Sequence, residues 1–357
     1  MPNSSSPGAS LPLIPMVLAK RLAVHERYDT RYRACARLQQ ALWLGRQQIP
    51  IGHHRDRTGR ARRLGSRLSP AAALAGRNFL THTLAELAHR VIAYQEPGAF
   101  IARDRVLANA IGSTTLCLNA MGFLALDLDL AARVLRLLLP DQDIDTVTAV
   151  HFEHSPARRS ATFTNDGTAF DCCVWFVRKR RSRHAERQGV FCMEWKYTEG
   201  LSDSAAMASG HYDGLAESSG LFREPFHAAL RVNPLQQLFR EHLLAQAAVM
   251  HGHWRSAVFA SIAPSANDRV QRQADLYRAF LTPTLEGQVP FVHLTLEAFV
   301  DAMARAGAIK AAEMLTERYL DLGPVHELVA AALKQQVSKW RPQPRPVQPL
   351  KLMGAAA

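Results

Sequence analysis

Gly189-Val190-Phe191-Cys192-Met193-Glu194-Trp195-Lys196-Tyr197-Thr198-Glu199 is the stretch from which the fold can be worked out. It opens apolar, as a short strand does, and then sets a carboxylate and an ammonium two residues apart. Strand side chains alternate between faces, so Glu194 and Lys196 should point one way and Met193, Trp195 and Tyr197 the other. An acid and a base at the end of an otherwise apolar strand break the local pattern. Such breaks tend to be functional or strained sites.

Working outward, residues 168–177 read as a second strand, rich in aromatic and β-compatible side chains, with Asp171 at its beginning. A basic segment, 178–188, joins the two and suits an antiparallel pair. In such a pair the start of the first strand lies beside the end of the second, so Asp171 and Glu194 should meet, with Lys196 alongside. Two carboxylates offer hard oxygen ligands to Mg²⁺, with Mn²⁺ as a substitute. A metal there polarises a phosphoryl oxygen and helps generate hydroxide from water. Lys196 is then placed to stabilise the charged phosphorane or orient the attacking water. The set therefore points to metal-assisted phosphodiester hydrolysis, against the plain alternative of a surface Glu/Lys pair on a half-exposed strand.

Asp171 followed by Glu194-Trp195-Lys196 across a basic hairpin resembles the PD-(D/E)XK nuclease superfamily. Four words in order are similar to one bacterial, restriction-endonuclease-like branch of it: Phe152-Glu153-His154-Ser155-Pro156, Thr168-Ala169-Phe170-Asp171, Glu194-Trp195-Lys196-Tyr197-Thr198-Glu199 and Gln237-Leu238-Phe239-Arg240-Glu241-His242. The resemblance covers about residues 99–300. Phe170 stands where the family has proline. Of a word expected near the preceding helix, only Asn119 carries over. The resemblance implies an α/β fold, a mixed sheet flanked by helices. It further implies that Glu153 is a third acid of the site and that Gln237 is offered to it from a helix packed beside the sheet. The residues alone leave Glu153 equally readable as a charge at a strand end.

The 357-residue chain carries a net charge of +12 and a sequence pI near 9.9. That balance favours a polyanionic partner, nucleic acid or an anionic membrane surface; the resemblance makes DNA the expected one. No apolar run reaches membrane-spanning length. Five cysteines without metal spacing read as buried thiols, in keeping with a cytoplasmic protein. Six cations in 178–187, against Glu186 alone, make Arg178, Lys179, Arg180, Arg181 and Arg183 candidate phosphate contacts; a solvated hairpin tip is the alternative.

The chain divides into a helical N-terminal extension with a basic loop (1–98), a nuclease-like core (99–300), C-terminal helices (301–340) and a Pro-rich tail (341–357). Strands are expected near 146–152, 168–177, 190–196, 257–263 and 289–295. The basic, glycine-containing segment 53–67 reads as a linker, with DNA contact as its second reading. Ser69-Pro70 should start an amphipathic helix running to about residue 95. In the strand at 146–152, alternation puts Val147, Ala149, His151 and Glu153 on one face. His151 and His154 read as surface or core histidines, and 200–220 as a loop near the site mouth. The resulting expectation is a Mg²⁺-dependent DNA endonuclease in a restriction or defence role. A non-catalytic nucleic-acid-binding protein and a subunit of a larger complex are the alternatives, and a homodimer is left open.

Overall fold

A computed structural model of the chain describes residues 10–55, 58–99, 101–179, 188–201 and 210–339. It opens with helices α1 (Met16–Arg21) and α2 (Arg31–Arg46), then a hairpin of β1 (Ile51–Arg55) and β2 (Ala61–Leu68). Helices α3 (Pro70–Leu74), α4 (His82–Ala93), α5 (Arg103–Ala108), α6 (Ser113–Leu126) and α7 (Leu128–Leu138) follow. The central part comprises β3 (Ile144–His154), β4 (Phe170–Arg178), β5 (Gln188–Trp195), α8 (Gly210–Ser219), α9 (Gln236–Met250), β6 (Ala257–Ala263), α10 (Asp268–Ala279) and β7 (Phe291–Thr295). Helices α11 (Leu296–Arg305), α12 (Ile309–Leu315) and α13 (Gly323–Lys339) close the described chain.

The main sheet has the order β3-β4-β5-β6-β7, antiparallel from β3 to β5 and parallel from β5 to β7. β5 and β6 are central and buried on both faces, which is why they are apolar runs rather than alternating ones. On one face α6, α7 and α11 pack against Val174, Phe191, Met193, Trp195 and Ile262. On the other, α8, α9 and α10 pack against Cys173, Val190, Cys192 and Phe259. Adjacent Cys172 and Cys173 thus enter opposite cores, and all five cysteines are buried and unbridged. The sheet with helices on both faces is the α/β architecture read from the sequence. Gly189 lies opposite Phe176; a Cβ there would come within 2.4 Å of the ring, so only glycine fits under it.

Four local expectations are corrected. The basic segment at 53–67 is not a linker but most of the β1–β2 hairpin; at its base a Cβ on Gly52 would stand 2.2 Å from Leu68 O. The helix expected from 69 to 95 is two. Ser69 caps α3, accepting from Ala72 N at 3.3 Å, and Thr81 caps α4, accepting from Leu84 N at 3.2 Å. The loop expected at 200–220 contains α8. Finally, register shifts in β3 between Ile144 and Thr146 and between Val147 and Ala149 break the expected alternation. Val150 and Phe152 join Val147 against the core, while His151 is exposed.

No single helix among the described residues is long and apolar enough to cross a membrane. Residues 180–187, with Arg180, Arg181 and Arg183, and the tail from 340 lie outside the described residues.

Candidate active site

The β4–β5 register pairs Cys172 with Met193. One step further it sets Asp171 opposite Glu194, a cross-strand pair with Cβ atoms about 4.5–5.5 Å apart. Trp195 N–H donates to Asp171 Oδ2 at 2.8 Å, fixing the carboxylate at the strand end. Glu194 and Lys196 share the α9 face, as alternation predicts, while Met193, Trp195 and Tyr197 enter the opposite core. Glu194 and Lys196 are 5% and 3% exposed, and Lys196 Nζ lies 2.9 Å from Glu194 Oε1.

From α9, Gln237 Nε2 donates to Glu194 Oε1 at 2.6 Å and to Glu241 Oε1 at 3.0 Å. Asp171, Glu194, Lys196, Gln237 and Glu153 line one cleft of about 410 Å³ at the end of the sheet. The expected set therefore comes together, Glu153 included. Glu153 reaches the cleft from a left-handed backbone, φ +51°. That conformation is unusual for a side-chain-bearing residue.

Arg240, which the spacing places beside Gln237 and leaves readable as a solvated helix face, lines the cleft; so do Glu241, Asp166 and Arg105, which the sequence does not single out. Glu241 was accessible by spacing, since i and i+4 on a helix share a face with Gln237. Arg240 Nη1 lies 3.5 Å from Asp166 Oδ2. Tyr212 O–H also donates to Asp166, and Thr168 N–H donates to it at 2.9 Å.

The electrostatics are those of a site short of positive charge. Burial, then Glu194, then Glu153 push the Asp171 carboxyl well above the usual carboxylate range; Lys196 and the Trp195 N–H oppose them. Burial and Glu194 likewise raise Glu241. They raise Glu153 to about 7. Among the described residues, Glu241 Oε2 and Gln237 Oε1 are buried without a hydrogen-bond partner. Crowded carboxylates, two orphaned acceptor oxygens and no thiol in the cleft make a donor set that fits a hard divalent cation.

Of the candidate phosphate contacts, two are described. Arg178 is folded back: Nη1 donates to Ser256 Oγ at 2.7 Å, Nη2 to Gln142 Oε1 at 2.5 Å, and the guanidinium lies over Phe176. Lys179 is exposed. Neither lines the cleft. His242, in the same word as Gln237, is a core residue that accepts from Tyr277 O–H at 2.9 Å and donates to Val289 O at 2.7 Å.

A family model described as PD-(D/E)XK nuclease superfamily matches residues 27–321. No curated protein and no solved structure matches the chain.

Proposed function

The chain belongs to the PD-(D/E)XK nuclease superfamily, and from that premise we propose that it is a Mg²⁺-dependent endonuclease hydrolysing DNA phosphodiester bonds, in a restriction or defence role. The observation that carries this reading is the convergence of Asp171, Glu194 and Lys196 in one cleft.

Asp171 and Glu194 would hold the metal, with Mn²⁺ able to replace Mg²⁺. Bound there, it would supply Lewis acidity towards a phosphoryl oxygen and towards the attacking water. Lys196 stabilises the charge that builds on the attacked phosphate and orients the water. Gln237 holds Glu194 in its rotamer from α9. Glu153 is placed as a further acid on the opposite strand. Arg105 and Arg240 offer positive charge to the flanking backbone, and the net charge of +12 suits a polyanion. Lys179, Arg180, Arg181 and Arg183 remain proposed contacts along the duplex, while the Arg178 guanidinium is already engaged by Ser256 and Gln142.

Purified protein incubated with plasmid DNA tests the reading. Nicked or linear product is expected with Mg²⁺ or Mn²⁺ and none in EDTA. Undiminished cleavage in EDTA would overturn the metal mechanism. Tight DNA binding without cleavage under any divalent ion would favour a non-catalytic binding protein that keeps the fold.

A further inference from the structure

The edge strand carries a second group of ligating side chains. His151 and His154 lie on β3, and Glu96 lies just beyond the end of α4. One ligand atom of each lies within 4.8 Å of the others. Strand alternation would send residues three apart to opposite faces. The left-handed turn at Glu153 brings His154 back beside His151, with ring centroids 5.7 Å apart. Trp175 backs the two rings at 4.6 and 4.9 Å. Glu96 is held in place: Ser155 N–H donates to its Oε2 at 3.1 Å, Arg158 Nη2 lies 3.6 Å from that oxygen, and Oε1 meets His154 Nδ1.

We propose that Glu96, His151 and His154 form a metal site, separate from the cleft, that takes a borderline transition-metal ion, Zn²⁺ above all. Two imidazoles and a carboxylate are the protein donor set of open Zn²⁺ sites, with the fourth position left to water. Zn²⁺ takes such ligands at bonds of about 2.0–2.1 Å. Nitrogen donors disfavour Mg²⁺, so the two sites sort their ions by ligand type. Ser155 N–H and Arg158, which orient the Glu96 carboxylate, and Trp175, which backs the two rings, give the ligands the outer support such a site needs. The exposed His151 leaves the ion an entry path. An ion bonded on both sides of Glu153 fixes the backbone that carries this carboxyl into the cleft.

Full-length, metal-stripped protein carrying Asp171→Asn and Glu194→Gln, which neutralises the two carboxylates proposed to hold the cleft metal, is titrated with Zn²⁺ by calorimetry. It is also titrated with Co²⁺ by visible absorption. One equivalent of Zn²⁺ is expected, with a Co²⁺ spectrum of low coordination number, neither displaced by excess Mg²⁺. Adding His151→Ala should weaken binding by more than the roughly 10–100-fold that loss of an outer-shell partner costs. Circular dichroism checks that this surface change leaves the fold intact, and Glu96→Gln, which keeps the side chain's size, should weaken binding in the same way. No Zn²⁺ bound in the double variant, or affinity unchanged by both His151→Ala and Glu96→Gln, would overturn the proposal.

Discussion

Burying an ammonium costs free energy unless the charge is paired, and Lys196 is almost wholly enclosed with Glu194 2.9 Å away. That geometry separates what Lys196 does from what the carboxylates do. Lys196→Met keeps the packing volume and removes the charge. It is expected to lower the single-turnover cleavage rate on the order of 10²–10³-fold, as loss of one transition-state donor does, with Mn²⁺ binding retained by titration. Asp171→Asn should lose both, and a Lys196→Met enzyme cleaving at the wild-type rate would remove Lys196 from the mechanism. His242 makes the opposite case, a histidine that is all core. Burial pushes its pKa from an ordinary value near 6.5 down to about 4. Between those values the unfolded chain binds the proton and the folded one does not, so its contribution is complete above pH 6.5 and is lost as pH falls toward 4. The shift corresponds to on the order of 3 kcal/mol. Urea unfolding at pH 7 and pH 4.5 should show that loss, and His242→Gln should flatten it. An equal acid slope in the variant would place the titrating group elsewhere.

At the scale of elements, the hairpin is the unexpected piece. A groove of about 970 Å³ separates it from α5, with His53, Arg55, Arg67 and Arg103 in its lining against Asp104. Two residues further along α5, Arg105 lines the catalytic cleft. A basic track therefore leaves the cleft along α5 and reaches the exposed Arg55, Arg60 and Arg63 of the hairpin region. Changing those three to Ser should weaken DNA binding evenly across sequences and flatten the slope of log K against log salt by about 2–3, one phosphate contact per arginine. The same experiment on Arg180, Arg181 and Arg183 tests the other basic segment, and whichever triple leaves affinity and slope unchanged is not on the DNA path. The hairpin escaped sequence reading because arginines and glycines at 52–67 dilute its period-two pattern. What makes it a strand pair is the close approach at Gly52 and packing of Leu64 and Leu68 beneath it, both tertiary. β5 was legible because a central strand is an unbroken apolar run, so the acid and base at its end stood out. The faces of β3 were not, since two register shifts and the turn at Glu153 are set by pairing to β4 rather than by composition. Glu241 lay in plain view four residues after Gln237, but nothing in the sequence marked it as buried beside other carboxylates.

At the scale of the molecule, the terminal helices are built into the support of the catalytic strand. Arg318, fully buried in the π turn Thr316–Leu320, donates to Gln40 Oε1 of α2 at 3.1 Å and to Asn78 O and Oδ1 at 2.8 and 2.7 Å. Its guanidinium stacks 4.1 Å from the Trp43 ring centroid. Gln40 Nε2 in turn donates to Tyr197 O–H at 3.1 Å, one residue beyond Lys196. Asn119, the one residue carried over from the family's helix word, donates to Tyr319 O–H at 2.9 Å. Chain from both ends of the sequence thus meets under the strand end that carries Glu194 and Lys196, in keeping with a family match that runs from 27 to 321 rather than from 99 to 300. Removing Arg318 strands two buried acceptors, Gln40 Oε1 and Asn78 Oδ1, while Asn78 O still accepts from Asn119 Nδ2 at 3.2 Å; each unsatisfied buried group costs roughly 1–3 kcal/mol. Arg318→Leu should therefore lower stability by about 2–6 kcal/mol in urea unfolding. Arg318→Lys should not rescue it, because a point charge cannot reproduce the planar fork or the stacking. A 99–300 fragment loses α2, the Trp43 platform and Arg318 together, and exposes Tyr197 and the apolar face of α6. It is expected to melt without a cooperative transition by circular dichroism and to cleave nothing, whereas a fragment that unfolds cooperatively at the full-length midpoint would show the ends to be dispensable appendages.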